Sequence, residues 1–254
     1  LLMLVVVLLL LPESLHFLLE NRSGNALKQV NRILSKLGHQ VLDSLPPADG
    51  PVVQAGVTKV FSAQLKGSTL LLWISFFMSM LTLYFLLLWT PQIIVNAGLP
   101  QDEAIRVGAT LNGGGLVGML LLGYLSERFG LYRLIMLFFL MGALSMVAFA
   151  LIDASVAMLL FLAFCLGFFS IGGMIGLYSA AAGIYPTQLR NTGLGWGIGV
   201  GRLGAIVGPN VAGLLIGIGW EQADYFLLLA LPLVFAMVST YWLQKYQQSF
   251  RPGG

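Results

Sequence analysis

Residues 134–152 read LIMLFFLMGALSMVAFALI, nineteen positions without one charged side chain. As a helix rising 1.5 Å per residue this run covers about 28 Å, close to the roughly 30 Å hydrocarbon core of a bilayer. Five further charge-free windows flank it, at 67–101, 107–126, 154–189, 203–220 and 225–244. Of the 254 residues 58% are hydrophobic and 9% charged, against about 25% charged in an ordinary soluble domain. The mean hydropathy is +0.90. Composition therefore excludes a water-soluble globule and points to a membrane protein.

Lipid cannot satisfy unpaired backbone groups, and these runs lack the two-residue alternation of barrel strands. The sequence predicts six transmembrane helices near 68–90, 104–125, 132–152, 155–182, 193–218 and 223–244. Leu1–Leu11 is apolar without a basic leader or a small-residue cleavage site, which argues against a signal peptide. It reads as the tail of a seventh span closed by Pro12, so the chain is expected to continue a larger protein with helices upstream. The lone cysteine, Cys165, excludes an intrachain disulfide.

The basic residues set the orientation. Segment 12–67, the connections near 126–133 and 183–192, and the C-terminus share one side and hold eleven of the thirteen Lys and Arg. The opposite side has Arg106, and Arg202 lies inside a span. By the positive-inside rule the charged side, with the C-terminus, is cytoplasmic. The net charge of +3 then reflects topology rather than nucleic-acid binding.

Between Asn25 and Gly38, NALKQVNRILSKLG sets Leu27, Val30, Leu34 and Leu37 on one helical face and Lys28, Arg32 and Lys36 on another. Such a helix can lie on the inner leaflet or pack beneath the bundle, and the sequence leaves both open. Pro46, Pro47 and Pro51 make an irregular connector after it. The domain reading is residues 1–11 as the end of a preceding span, 12–67 as a cytoplasmic loop, 68–244 as six transmembrane helices, and 245–254 as a cytoplasmic tail.

Spans 104–125 and 193–218 each carry glycines, LNGGGLVGMLLLG in the first and GLGWGIGVGRLGAIVGP in the second. Glycine-interrupted helices at matching places in two three-helix sets are a pointer to inverted repeats around a transporter's central site. Arg202 interrupts the second cluster about nine residues, or 14 Å, into its span. A charge there costs about 2.5 kcal/mol or more, so it faces a partner or a watery cavity. A carboxylate suits its planar fork; a backbone-bound structural arginine is the alternative. Gly195 and Gly199 leave room beside it. Asn112, Tyr84, Tyr178 and Trp196 are candidate walls and polar contacts of the same ligand pocket.

Glu127, Arg128 and Arg190 fall at cytoplasmic helix ends, where opposite charges can latch spans in one state and release them in another, or only set topology. Arg106 has Asp102 and Glu103 one turn behind it. His16 and His39 have no companions at metal-ligand spacing. No nucleophile–base set, phosphate loop or metal cluster is visible, so neither an enzyme nor a cofactor is expected.

Three stretches resemble the major facilitator superfamily, and more narrowly its aromatic acid:proton symporters. They are LPESLHFLL at 11–19, GYLSERFGLYR at 123–133, and YPTQLRNTGLGWGIGVGRLGAIVGP at 185–209. The resemblance implies an all-α bundle of two inverted three-helix repeats, the C-terminal half of the fold, with 1–11 as the end of helix six, 12–67 as the central loop and 68–244 as helices seven to twelve. It also implies a carrier of aromatic carboxylates in a bacterial-type inner membrane, with protons as the coupling ion and an N-terminal six-helix half as partner. No carboxylate lies deep in a span, since Asp102, Glu103, Asp153, Glu221 and Asp224 sit near outer ends and Glu127 near an inner end. Proton coupling is thus expected to rest largely on that other half. A carrier of another organic anion or of a sugar remains open, although Asn112, Asn210 and Gln92 are few for sugar recognition. A six-helix scaffold or channel is the alternative of another class.

Overall fold

The computed structural model describes residues 25–36, 38, 40–45, 57–96, 98–151 and 155–249. The candidate span end at 1–11, the LPESLHFLL stretch, His16, His39, the Pro46–Pro51 connector and Asp153 lie outside the described residues. The chain divides into two units, Leu1–Gln54 and Ala55–Gly254.

The first unit contains helix α1 (Ala26–Lys36). Val30 is buried, Leu27 and Leu34 are half-buried, and Lys28 and Arg32 are exposed, the two-faced pattern expected from spacing. Asn31 braces the chain after the helix: its Nδ2 donates to the Leu42 carbonyl and its Oδ1 accepts from the Leu42 N–H, both at 2.8 Å.

In the second unit a short helix α2 (Val57–Val60) precedes α3 (Lys66–Asn96), α4 (Gln101–Phe129), α5 (Leu131–Leu151), α6 (Val156–Ile184), α7 (Thr187–Gly217) and α8 (Gln222–Ser249). The six long helices are each long and apolar enough to cross a membrane. Most outrun the expected limits, because the polar residues that close a charge-free window stay helical at the bilayer edge. The glycines do not interrupt α4 or α7, both of which are continuous. Connections are short, so neighbours in sequence run antiparallel. The tightest, between α4 and α5, is Gly130 alone, with φ 86°. There an L side chain would strain the left-handed backbone, and glycine carries no such penalty.

Packing divides the bundle into two equivalent triplets, α3–α5 and α6–α8. The extensive pairings are α4 with α6, α7 with α3, and α5 with α8, with α3 on α8 and α6 on α5 closing the set. Exchanging the triplets maps this set onto itself. Three helices per repeat reverse the direction of the second triplet, so the repeats are inverted.

Glycine explains the tightest contacts. A Cβ at Gly114 would lie 2.2 Å from the Phe164 carbonyl oxygen, and one at Gly118 would lie 2.1 Å from that of Phe168. On the other side a Cβ at Gly204 would meet the Phe77 oxygen at 2.2 Å, and one at Gly208 the Leu81 oxygen at 2.1 Å. Only glycine lets these backbones come so close, the small-residue solution to helix packing in lipid. The register is common to both repeats: a shift of 90 residues carries Gly114 to Gly204 and Gly118 to Gly208, and a shift of 87 carries Phe77 to Phe164 and Leu81 to Phe168. From 105 to 120 and from 195 to 210 the succession of buried, half-buried and exposed positions is identical.

Where lipid gives no hydrophobic drive between helices, hydroxyls add directional contacts. Thr82 Oγ1 donates to the Leu229 carbonyl at 2.8 Å, and Ser239 Oγ to that of Leu71 at 2.7 Å, joining α3 to α8. At the end of the bundle where α3 begins, the Tyr185 hydroxyl donates to Thr69 Oγ1 at 3.2 Å, and Thr69 donates to the Val60 carbonyl at 2.9 Å. That chain ties α2 to the bundle through the α6–α7 connection. Burial pushes the Tyr185 phenol above its ordinary pKa, which keeps it a neutral donor.

Candidate functional site

Arg202 is the middle residue of Thr187–Gly217, fifteen residues or about 22 Å from either end. The helix starts at Thr187 behind Pro186, whose φ of −53° suits the turn into a helix. This early start lengthens the expected 14 Å to about 22 Å, and Arg202 stays central in its span.

The glycines of α7 fall on two faces. Gly193, Gly197, Gly201, Gly204 and Gly208 are buried, and a Cβ on Gly197, Gly201, Gly204 or Gly208 would press on α3. Gly195 and Gly199 have nothing within 4 Å of such a Cβ, and Arg202 shares their open side. One glycine set therefore seats α7 against α3, while the other leaves space beside the charge.

Arg202 Nη1 donates to the Tyr84 hydroxyl on α3, and the guanidinium carbon stands 5.7 Å from the Tyr84 ring centroid. The tyrosine thus offers the cation a hydroxyl acceptor at the edge of its ring. Among the described residues no carboxylate pairs with Arg202; the ion pair there is Arg106 with Glu103, at 2.9 Å. An arginine fork has five N–H donors, so most of its capacity is uncommitted among the described residues.

Tyr178 on α6 lies within electrostatic reach of Arg202 and Tyr84. Its ring meets Phe76 edge-on at 5.2 Å, and Phe76 in turn fills the space against Gly197 and Gly201. Trp196 stacks on Trp73 at 6.1 Å and 22°, and Phe61 stands edge-on to Trp73 at 5.2 Å. Trp196 is 46% exposed, so one flat face remains open about two helical turns before Arg202. The structure thus unites Tyr84, Tyr178 and Arg202, from three helices, with the Trp73–Trp196 stack nearer the start of α7.

Asn112 is exposed on α4, and its Nδ2 donates to the Gly108 carbonyl of its own helix at 2.9 Å. No hydrogen bond or ring contact among the described residues joins it to Tyr84, Tyr178 or Arg202. The 90-residue register nevertheless makes it the counterpart of Arg202 in the first repeat. Trp73 and Phe76 escaped sequence reasoning, because α3 is apolar around its circumference and no periodicity marks the side that meets α7.

Glu127 and Arg128 close α4 and Arg190 lies in the first turn of α7; all three are exposed. Among the described residues none forms an ion pair, and the Arg128 guanidinium rests 5.6 Å from the Phe129 ring centroid. The expected latch between opposite charges is therefore not made among the described residues. Asp102 and Glu103 open α4 and Asp224 opens α8, leaving the centres of the described spans without carboxylates.

Residues 72–252 match the model of the Major Facilitator Superfamily. Over 247 residues the chain is 31% identical to the benzoate transport protein of Acinetobacter baylyi, covering 95% of this chain and 52% of the relative. It is 31% identical over 235 residues to the 4-hydroxybenzoate transporter PcaK of Pseudomonas aeruginosa, covering 91% and 52%. The gallate transporter of Pseudomonas putida is 30% identical over 233 residues, covering 91% and 51%. The chain spans about half the length of these curated relatives. With the inverted three-helix repeats and the family match over most of its length, the chain belongs to the Major Facilitator Superfamily.

Proposed function

We propose that this chain forms the C-terminal six-helix half of a carrier that moves aromatic carboxylates with protons across a bacterial inner membrane. In this reading Arg202 binds the substrate carboxylate, and the C-terminus is cytoplasmic. The observation that carries it is an arginine at mid-span on the open side of α7, held by Tyr84 and lacking a carboxylate among the described residues. A carboxylate engages the fork bidentately and neutralises a charge that is costly at that depth. Tyr84 and Tyr178 line the polar end, Trp196 supplies a flat wall, and Asn112 contributes from the symmetry-related position.

The other six-helix half completes the cavity, and the repeats rock against it around this midplane site. Protons offset an electrical cost: importing an anion against an inside-negative potential requires about 2.3 kcal/mol per 100 mV. With no carboxylate central in the described spans, the partner half carries the coupling proton. No group in this reading performs covalent chemistry, which makes the protein a carrier rather than an enzyme.

The direct test is uptake of labelled benzoate and hydroxybenzoates by the complete carrier in liposomes, with and without a pH gradient. Accumulation driven by the gradient supports the proposal, and transport of sugars in its place defeats it. Within that assay, Tyr84→Phe removes the acceptor that holds the Arg202 fork. A net hydrogen bond contributes about 0.5–1.5 kcal/mol, so substrate affinity falls about two- to tenfold, read by calorimetry.

Glu127→Gln and Arg190→Gln each slow uptake about two- to fivefold while surface expression stays normal. In this reading their partners lie in the other half, and exposed pairs are worth up to about 1 kcal/mol. Wild-type rates in both variants would reduce these charges to determinants of orientation.

A further inference from the structure

A cavity of about 740 Å³ lies away from Arg202, between α5 and α8. Leu144, Leu228, Leu231 and Val234 give it apolar walls, and Trp220 and Asp224 sit at one end. Leu144 is 52% exposed and Leu231 49%, so the walls open outward between two helices that cross the bilayer. From Asp224 to Val234 the groove follows α8 for ten residues, about 15 Å. That is half of the roughly 30 Å hydrocarbon core. It therefore runs from the membrane edge to mid-bilayer, the reach of one acyl chain in one leaflet.

The mouth is chemically distinct from the walls. Asp224 opens α8, is exposed, and has no ion-pair partner among the described residues. Trp220 beside it is the residue type enriched at headgroup level. A fixed carboxylate there attracts a cationic headgroup and repels one that is anionic overall. A second copy of the bundle fits less well, because among the described residues of this unit Arg106 is the basic residue at the end where α8 begins, and it is already engaged by Glu103.

We propose that this groove is a phospholipid site that takes one acyl chain between α5 and α8 and pairs Asp224 with a primary ammonium headgroup. The ligand class is an ethanolamine phospholipid. The leaflet it occupies follows the orientation proposed above; the site itself is independent of the transported substrate.

Native mass spectrometry of the detergent-purified protein, offered equal amounts of dioleoyl phosphatidylethanolamine and dioleoyl phosphatidylglycerol, tests the site. The wild type should retain the ethanolamine lipid about two- to fivefold more, the range of an exposed ion pair. Asp224→Asn should remove that preference and leave total retention near wild type. Leu228→Trp, which fills the groove, should lower retention of both lipids. Equal retention by the wild type, or a preference that survives Asp224→Asn, overturns the headgroup assignment. Unchanged retention in Leu228→Trp overturns the groove as the seat, as does a dimer that this variant disrupts without loss of lipid.

Discussion

Arg202→Ala should lose nearly all affinity for an aromatic carboxylate, and Arg202→Lys should keep a measurable part of it. Alanine removes both the charge and the fork. Lysine keeps the charge but presents a compact ammonium in place of a planar pair of donors. A hydrogen bond to a charged group contributes about 1.5–3 kcal/mol, so one lost contact weakens binding roughly tenfold to a hundredfold. A bidentate pair loses more. Calorimetry on the complete carrier, with thermal stability measured alongside, reads the result. An amide analogue of the substrate should bind wild type and Ala variant with a smaller difference, because it lacks the anionic group. Normal binding of the acid by the Ala variant, or failure only through unfolding, would make Arg202 structural. The geometry argues against that outcome, since the contact it makes to Tyr84 uses one donor of five.

Much of this architecture is legible in residue order, and what is not has a physical reason. Charge-free runs long enough to cross a bilayer locate all six spans, because lipid excludes charge along the whole traverse. The ends are less legible, since Thr187–Asn191 is polar yet helical. Arg202 stands out because an isolated intramembrane charge is rare. Its neighbours are harder: Tyr84 and Tyr178 are single tyrosines in apolar helices, and only packing decides which way each faces. Trp73 gave no signal at all.

The inverted repeat is also half-visible. Residues 112–118 read NGGGLVG and 202–208 read RLGAIVG. The glycines at 114 and 204 and at 118 and 208 persist because each fits a backbone against backbone, while the first position diverges freely on the open face. Glycine clusters alone suggested matched placement. The equivalence of Asn112 and Arg202 required the register, which the carbonyls of Phe164, Phe168, Phe77 and Leu81 supply.

That register yields the second large effect. Gly114→Ala and Gly204→Ala should destabilise the protein by similar amounts, because each new Cβ would stand 2.2 Å from a main-chain oxygen of the partner helix. Backbone cannot swing aside as a flexible side chain can, so the helix pair must separate. Overpacking of this kind costs about 1–3 kcal/mol or more, a fall of about 2–10 °C in Tm at this chain length. Gly113→Ala and Gly199→Ala are the controls: their Cβ atoms would meet open space. There alanine's better helix propensity favours stability by up to about 1 kcal/mol. Affinity separates the repeats. Gly204 lies two residues from Arg202, so pushing α7 off α3 also pulls Arg202 from Tyr84, and substrate binding should weaken about two- to tenfold. Gly114→Ala displaces α4 from α6 and leaves the Arg202–Tyr84 pair in place, so it disturbs the site only through Asn112 and Tyr178 and should weaken binding less than Gly204→Ala at temperatures where it stays folded. If Gly204→Ala and Gly114→Ala weaken binding equally, the site depends on the integrity of the whole bundle rather than on the α3–α7 seam.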